Sequence, residues 1–119
     1  MQDKAMIVRL PGLHPTRSRA VVHNGLVQAV AVSDAKVASM HEQTRRALAD
    51  LDATLAAAGT AKSRLLTCIV FIADMAQKPE MNRAWDEWAD RANPPMRACI
   101  GATLQGESLI EIVATAALP

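Results

Sequence analysis

Aromatic side chains are nearly absent. Phe71, Trp85 and Trp88 are the only three in 119 residues, and tyrosine does not occur. Three rings cannot serve both a core and a stacking platform, which argues against single-stranded nucleic acid as a partner. An excess of one charge is missing as well: thirteen lysines and arginines face twelve acids, for a net charge of +1. A nucleic-acid-binding domain would be expected to be far more basic. Long apolar runs are also lacking near the start, where residues 5–8 are stopped by Arg9 and followed by Pro11. That stretch is too short for the apolar region of a signal peptide or for a membrane span. Cys68 and Cys99 form no CxxC pair. They read as two thiols of a reducing compartment rather than as a disulfide. The expectation is a cytoplasmic protein with no membrane and no nucleic-acid partner.

Half of the residues are hydrophobic, and 23 of them are alanine. A chain of this length forms one domain, here residues 1–119. Alanine contributes little area per side chain, so burial shared with further copies is expected. Residues 6–10 read as an edge strand closed by Pro11 and Gly12. Residues 20–23 and 26–32 flank Asn24-Gly25, a pair that tolerates positive φ at both turn centres and predicts a type I′ hairpin. Residues 37–58 predict a helix. Ser39 and Glu42 have capping-box spacing, Met40, Ala47, Leu48, Leu51, Leu55 and Ala58 form one stripe, and Gly59 follows as a C-cap.

Residues 65–72 form a β-branched run that suits a central strand. Pro79 fits a first helical position. Met81, Ala84, Trp85, Trp88 and Ala92 give a second amphipathic helix, ended by Asn93-Pro94-Pro95, with both tryptophans as anchors to the sheet. Residues 96–103 and 109–117 predict two final strands joined as a hairpin through residues 104–108. The first helix suggests a crossover to a parallel neighbour. The sum is an α+β sandwich: one mixed sheet with two helices on one face. The strands carry so little charge that the other face should be covered by further copies.

Metal-ligand spacing is absent among His14, His23 and His41, and there is neither a phosphate-binding glycine loop nor a GxSxG motif. Two charges stand out because their strands are otherwise apolar. Arg97 follows Pro94-Pro95-Met96, and Glu111 lies within Leu109-Ile110-Glu111-Ile112-Val113. Arginine grips a carboxylate with a planar fork, and a glutamate in apolar surroundings can orient or deprotonate water. A structural ion pair between the two, or one solvated charge on an edge strand, meets the same spacing. Asn82, in the first turn of the second helix, reads by default as a solvated amide.

The stretch Asn93-Pro94-Pro95-Met96-Arg97-Ala98-Cys99, followed by Ile110-Glu111-Ile112, resembles the C-terminal signature of the YjgF/RidA (reactive intermediate deaminase) family. Asn24-Gly25, Leu55-Ala56-Ala57-Ala58-Gly59, Val70-Phe71-Ile72-Ala73-Asp74-Met75 and Met81-Asn82-Arg83-Ala84-Trp85 occur in that family's order. The resemblance implies a chorismate-mutase-like fold, a homotrimer with a central barrel, and sites in clefts between subunits. It implies hydrolysis of enamine/imine intermediates, small 2-imino acids, to 2-keto acids and ammonia, without cofactor or metal. By position, Arg97 would hold the substrate carboxylate and Glu111 the attacking water. The backbone at Cys99 would contact the imine nitrogen, and Asn82 and the backbone near Ala31 would border the pocket. Deaminating members usually carry Ser-Gly-Gln or Ala-Gly-Gln where this chain has Val30-Ala31-Val32, and commonly an aromatic near Arg17 or Ser18. A trimer of the same fold that binds a 2-keto acid without turnover is the alternative reading.

Overall fold

The computed structural model describes residues 3–36 and 38–119. Six strands form one sheet: β1 (Val8–Pro11), β2 (Ser18–His23), β3 (Leu26–Val32), β4 (Leu65–Ile72), β5 (Met96–Gly101) and β6 (Ile110–Ala117). Among the described residues two α-helices, α1 (Met40–Ala57) and α2 (Lys78–Trp88), accompany the sheet. The spatial order is β1-β2-β3-β6-β4-β5, with β4 and β5 parallel and the other neighbours antiparallel.

The N-terminal half follows its local signals. Asn24 and Gly25 take φ of 53° and 75°, so the β2–β3 connection is the tight turn that the pair predicts. At the start of α1, Ser39 is extended and its hydroxyl accepts from the Glu42 N–H at 3.1 Å. The reciprocal half of the capping box does not form among the described residues. The Glu42 carboxylate is taken by Arg45 and Arg46 instead, at 3.1–3.2 Å. The predicted helix start at Val37 lies outside the described residues. At the other end Gly59 has φ of 91°, the Gly59 N–H donates to the Ala56 carbonyl, and the Thr60 N–H donates to the Leu55 carbonyl. This is the Schellman arrangement that closes a helix with a left-handed residue.

Two expectations for the C-terminal half need correction. The second helix ends at Trp88, not near Asn93, and Ala92 is outside it. The Asp90 carboxylate accepts from the Ala92 N–H and the Asn93 side-chain amide at 3.0 and 3.1 Å, offering the chain a local turn in place of another helical one. Those bonds, led by the Asn93 amide, hold the Asp90 carboxyl below its usual range. The larger correction concerns the last two strands, which are not a hairpin: β4 lies between β5 and β6. Residues 102–109 are long enough to pass over the end of β4. They are pinned there by Ala102 N–H to the Ile72 carbonyl and by Ala73 N–H to the Leu109 carbonyl, both 3.0 Å. The adjacent parallel pair is therefore β4–β5, crossed over through α2. β3 and β4 are also parallel, but β6 separates them.

The core lies between the sheet and the helices. Ala20, Val22, Val27, Ala29, Ala31, Val70, Ile72, Ile112, Ala114 and Ala116 face Met40, Leu48, Leu51, Leu55, Met81 and Trp85. Small residues on the central strands allow the helices to approach closely, so large side chains come mainly from the helix side. Val30 and Val113 point the other way, together with Ile69, Phe71 and Ile100. Val113, Ile69 and Ile100 remain 39%, 37% and 44% exposed.

Candidate functional site

Arg97 lies on β5, the edge strand, in register with Cys68 of β4. Its side chain points to the helix-covered side, where α2 presents Met81, Asn82 and Trp85 one turn apart. Nη2 donates to the Asn82 Oδ1 at 2.8 Å, Nη1 approaches the Met81 sulfur at 3.6 Å, and the guanidinium lies 5.1 Å from the Trp85 ring centre. A hydrogen bond, a thioether contact and a cation–π platform thus hold one half-buried cation in a single orientation. Among the described residues no other side chain or carbonyl takes the remaining N–H groups of the fork, a geometry able to meet an anion.

The structure therefore joins Arg97 with Asn82, and the Asn82 amide is a partner of Arg97 rather than a solvated side chain. Cys99 sits two residues further along β5 on the same face, half-buried and in register with Val70. The neighbouring Cys68 thiol is pushed up to about 11, first by burial, with the Arg97 charge pulling the other way.

Glu111 is elsewhere. It is paired with Val32 on one side and Phe71 on the other, and its neighbours Ile110 and Ile112 are buried under the helices. Strand alternation places its carboxylate on the opposite, open face. Cys68 and Phe71 mark the levels of Arg97 and Glu111 along β4. The two are thus three residues and two strands apart, roughly 14 Å between Cα positions at ordinary sheet spacings. No ion pair among the described residues includes either one. The intrachain ion pair is excluded on this geometry.

Ala31 is buried, with its methyl in the core. It lies beyond the last β2–β3 pairing, Ala20 with Ala29, and is paired with Ile112. The next residue's amide, Val32 N–H, donates to the Asp50 carboxylate of α1 at 3.2 Å.

Two contributors were hidden in the sequence. Gln43 is fully buried: its amide nitrogen donates to the carbonyls of Lys36 and Glu107 at 2.9 and 3.1 Å, and its oxygen accepts from the Leu109 N–H at 2.9 Å. It fastens the connection entering β6, two residues before Glu111. Its signal was a polar residue three positions after Met40 on an apolar stripe. Trp85 is an anchor, as the helical period indicates, and also the platform under Arg97. Among the described residues, no group of three His, Cys, Asp or Glu is arranged to hold a metal, and no helix is long and apolar enough to cross a membrane.

Comparison with known proteins meets this geometry from another side. A profile of the family described as "Endoribonuclease L-PSP" matches residues 17–118. A RutC family protein of Haemophilus ducreyi is 41% identical over 103 residues, covering 85% of this chain and 88% of that one. RutC family protein YoaB of Escherichia coli is 34% identical, covering 85% and 90%. Among solved structures, a member of the YjgF protein family from Neisseria meningitidis superposes with a TM-score of 0.92 at 33% identity over 98% of both chains.

Proposed function

The chain belongs to the YjgF/RidA family, and on that premise we propose that it hydrolyses small 2-imino acids to 2-keto acids and ammonia. The observation that carries this reading is Arg97, an edge-strand guanidinium fixed by Asn82 and Trp85 with donors to spare. The substrate carboxylate docks on that fork, with the backbone at Cys99 alongside the imine nitrogen. Anchoring the carboxylate holds the electrophilic carbon still, which is most of what an already reactive iminium needs. Glu111 orients a water and takes its proton as the oxygen bonds to C2. The carbinolamine then receives that proton on nitrogen, and as the C–N bond breaks its hydroxyl gives its own proton back to Glu111, so that the C2 carbonyl forms and ammonia leaves.

Because Arg97 and Glu111 occupy opposite faces of one chain, a shared cleft draws them from different copies. The open face, apolar at Ile69, Val113 and Ile100, is what a second copy would cover. A closed ring of three satisfies both requirements. The test generates a 2-imino acid in situ with an amino-acid oxidase and follows its disappearance. Arg97→Ala and Glu111→Gln should each lower the rate by about a hundredfold. Equal parts of the two variants, unfolded and reassembled together, should regain about a quarter of wild-type activity, since random mixing restores one complete cleft in four. No acceleration over buffer by the wild-type protein would sink the assignment.

A second reading, carboxylate binding without turnover, is favoured by one feature: the Val30-Ala31-Val32 segment commits its methyl to the core and the Val32 N–H to Asp50. Stabilisation of the protein by a 2-keto acid, with no imine consumed, would select it.

A further inference from the structure

The two helices end differently. Gly59 closes α1 with a left-handed residue, whereas Ala89 leaves α2 in extended backbone, φ −60° and ψ 142°. The last turn of α2 carries no basic side chain of its own. A final turn of that kind leaves carbonyls open and tends to fray. Yet this turn contains Trp85, the platform under Arg97.

Its closure comes from elsewhere in the chain. Lys62, 26 residues upstream, donates from Nζ to the Trp88 carbonyl at 2.6 Å. The same ammonium lies 5.0 Å from the centre of the Trp88 ring. Asp52 of α1, 36 residues upstream, accepts from the Trp88 indole N–H at 2.9 Å. A cation thus caps the carbonyl end of α2, where positive charge is favoured, and an acid fixes which way the indole turns. The Trp88 and Trp85 rings lie 5.3 Å apart, centre to centre, with their planes tilted by 59°, an arrangement that aromatic pairs favour. Trp85 is buried, and its other neighbour is the Arg97 guanidinium at 5.1 Å. Asp52, Trp88, Trp85 and Arg97 therefore form one unbroken line of contacts from α1 to the sheet edge.

We propose that Asp52 and Lys62 are positioning residues for Arg97. They hold Trp88, Trp88 holds Trp85, and the Trp85 ring sets the direction of the guanidinium fork. Direction matters because the face of an indole attracts a cation and its rim repels one. A Trp85 ring free to turn would release the fork from the geometry in which it meets a carboxylate. The inference rests on the reading of Arg97 as the carboxylate anchor, and it assigns Asp52 and Lys62 to substrate binding rather than to proton transfer. A clasp that served only the stability of α2 would use the same contacts, but it would leave Arg97 unchanged in the folded protein.

The test takes two readouts from the full chain. The first is the Arg97 Nε–H resonance without ligand, identified by its loss in Arg97→Ala and displaced by the Trp85 ring current. Asp52→Ala and Lys62→Met should each move it toward the position of a free arginine. Asp52→Asn, which keeps an acceptor oxygen for the indole, should leave it in place. The second is turnover of a 2-imino acid generated in situ, at a temperature where circular dichroism shows every variant folded. Asp52→Ala should raise KM about fivefold with kcat within about twofold, and Asp52→Asn should restore the wild-type KM. An Arg97 resonance unmoved in both Asp52→Ala and Lys62→Met would overturn the positioning role, whatever the kinetics. So would variants that lose thermal stability but keep the wild-type KM. A wild-type protein without imine turnover would strike only the reading of the reaction, because the resonance by itself decides whether Asp52 and Lys62 direct the fork.

Discussion

The two faces of the sheet are built from the same strands and carry opposite fates. On one, Val27, Val70, Ile72, Ile112 and their neighbours are sealed by α1 and α2. On the other, Val30, Ile69, Phe71 and Val113 alternate with them and meet no helix. Arg97 belongs to the first face, where Asn82 and Trp85 hold it, and Glu111 to the second, where no ion pair among the described residues answers its charge. An apolar strand therefore carries two messages at once. One alternation makes the core of a chain, and the other makes a surface that only another molecule completes.

The largest effect is expected on the open face. Val113→Asp should leave the helical content intact by circular dichroism yet abolish association, so that sedimentation equilibrium reports single chains where the wild type gives three. A wild-type protein that already sediments as one chain would end the reading of that face as an interface. The covered face should respond in the opposite way. Leu51→Ala, at a fully buried position of α1, should lower the unfolding free energy by about 3 kcal/mol at every protein concentration. A loss that vanished on concentrating the protein would show that the two faces are not independent.

A smaller effect separates the covered face from its edge. The folded Cys68 thiol keeps its proton up to about 11, whereas the unfolded thiol releases it near 9.0. Between those values the unfolded chain holds fewer protons, so stability falls as pH rises through the interval and is undiminished below it. Denaturant midpoints measured from pH 8 to 11 should decline less steeply in Cys68→Ala. A thiol reagent applied to the native protein near pH 8 should modify half-buried Cys99 and leave Cys68 untouched.

Much of the fold was legible where a local rule governs. The Asn24-Gly25 turn, the Ser39 hydroxyl cap, the Gly59 terminus and the alternation of β4 each depend on residues within a few positions of one another. The failures share a different cause. Nothing between residues 96 and 117 announces that β4 will insert between the last two strands, because pairing partners 29 or more residues away compete with the nearer one. Helix α2 stops early for a reason that was local but easily outweighed, the turn offered by Asp90. Gln43 breaks the polarity of the α1 stripe, yet two of its three backbone partners, Glu107 and Leu109, lie 64 and 66 residues away.

The candidate site divides along the same line. Arg97 and Glu111 stand out as a lone arginine and a lone glutamate in apolar strands, whereas the roles of Asn82, Cys99 and the backbone near Ala31, and the type of chemistry, rest on a resemblance. That Arg97 meets Asn82, Met81 and Trp85 while Glu111 turns to the far face was decided by strand order and register.

What the sequence determined by itself was the inventory: a sheet with two helices, an alanine-lightened core and two isolated charges. Local propensity, periodicity and charge are properties of neighbouring residues and survive without a fold. Which face each charge occupies, and which cations keep free hydrogen-bond donors, emerged only from the tertiary structure. A strand's side chains change face with every residue, and only the assembled sheet says which face is closed.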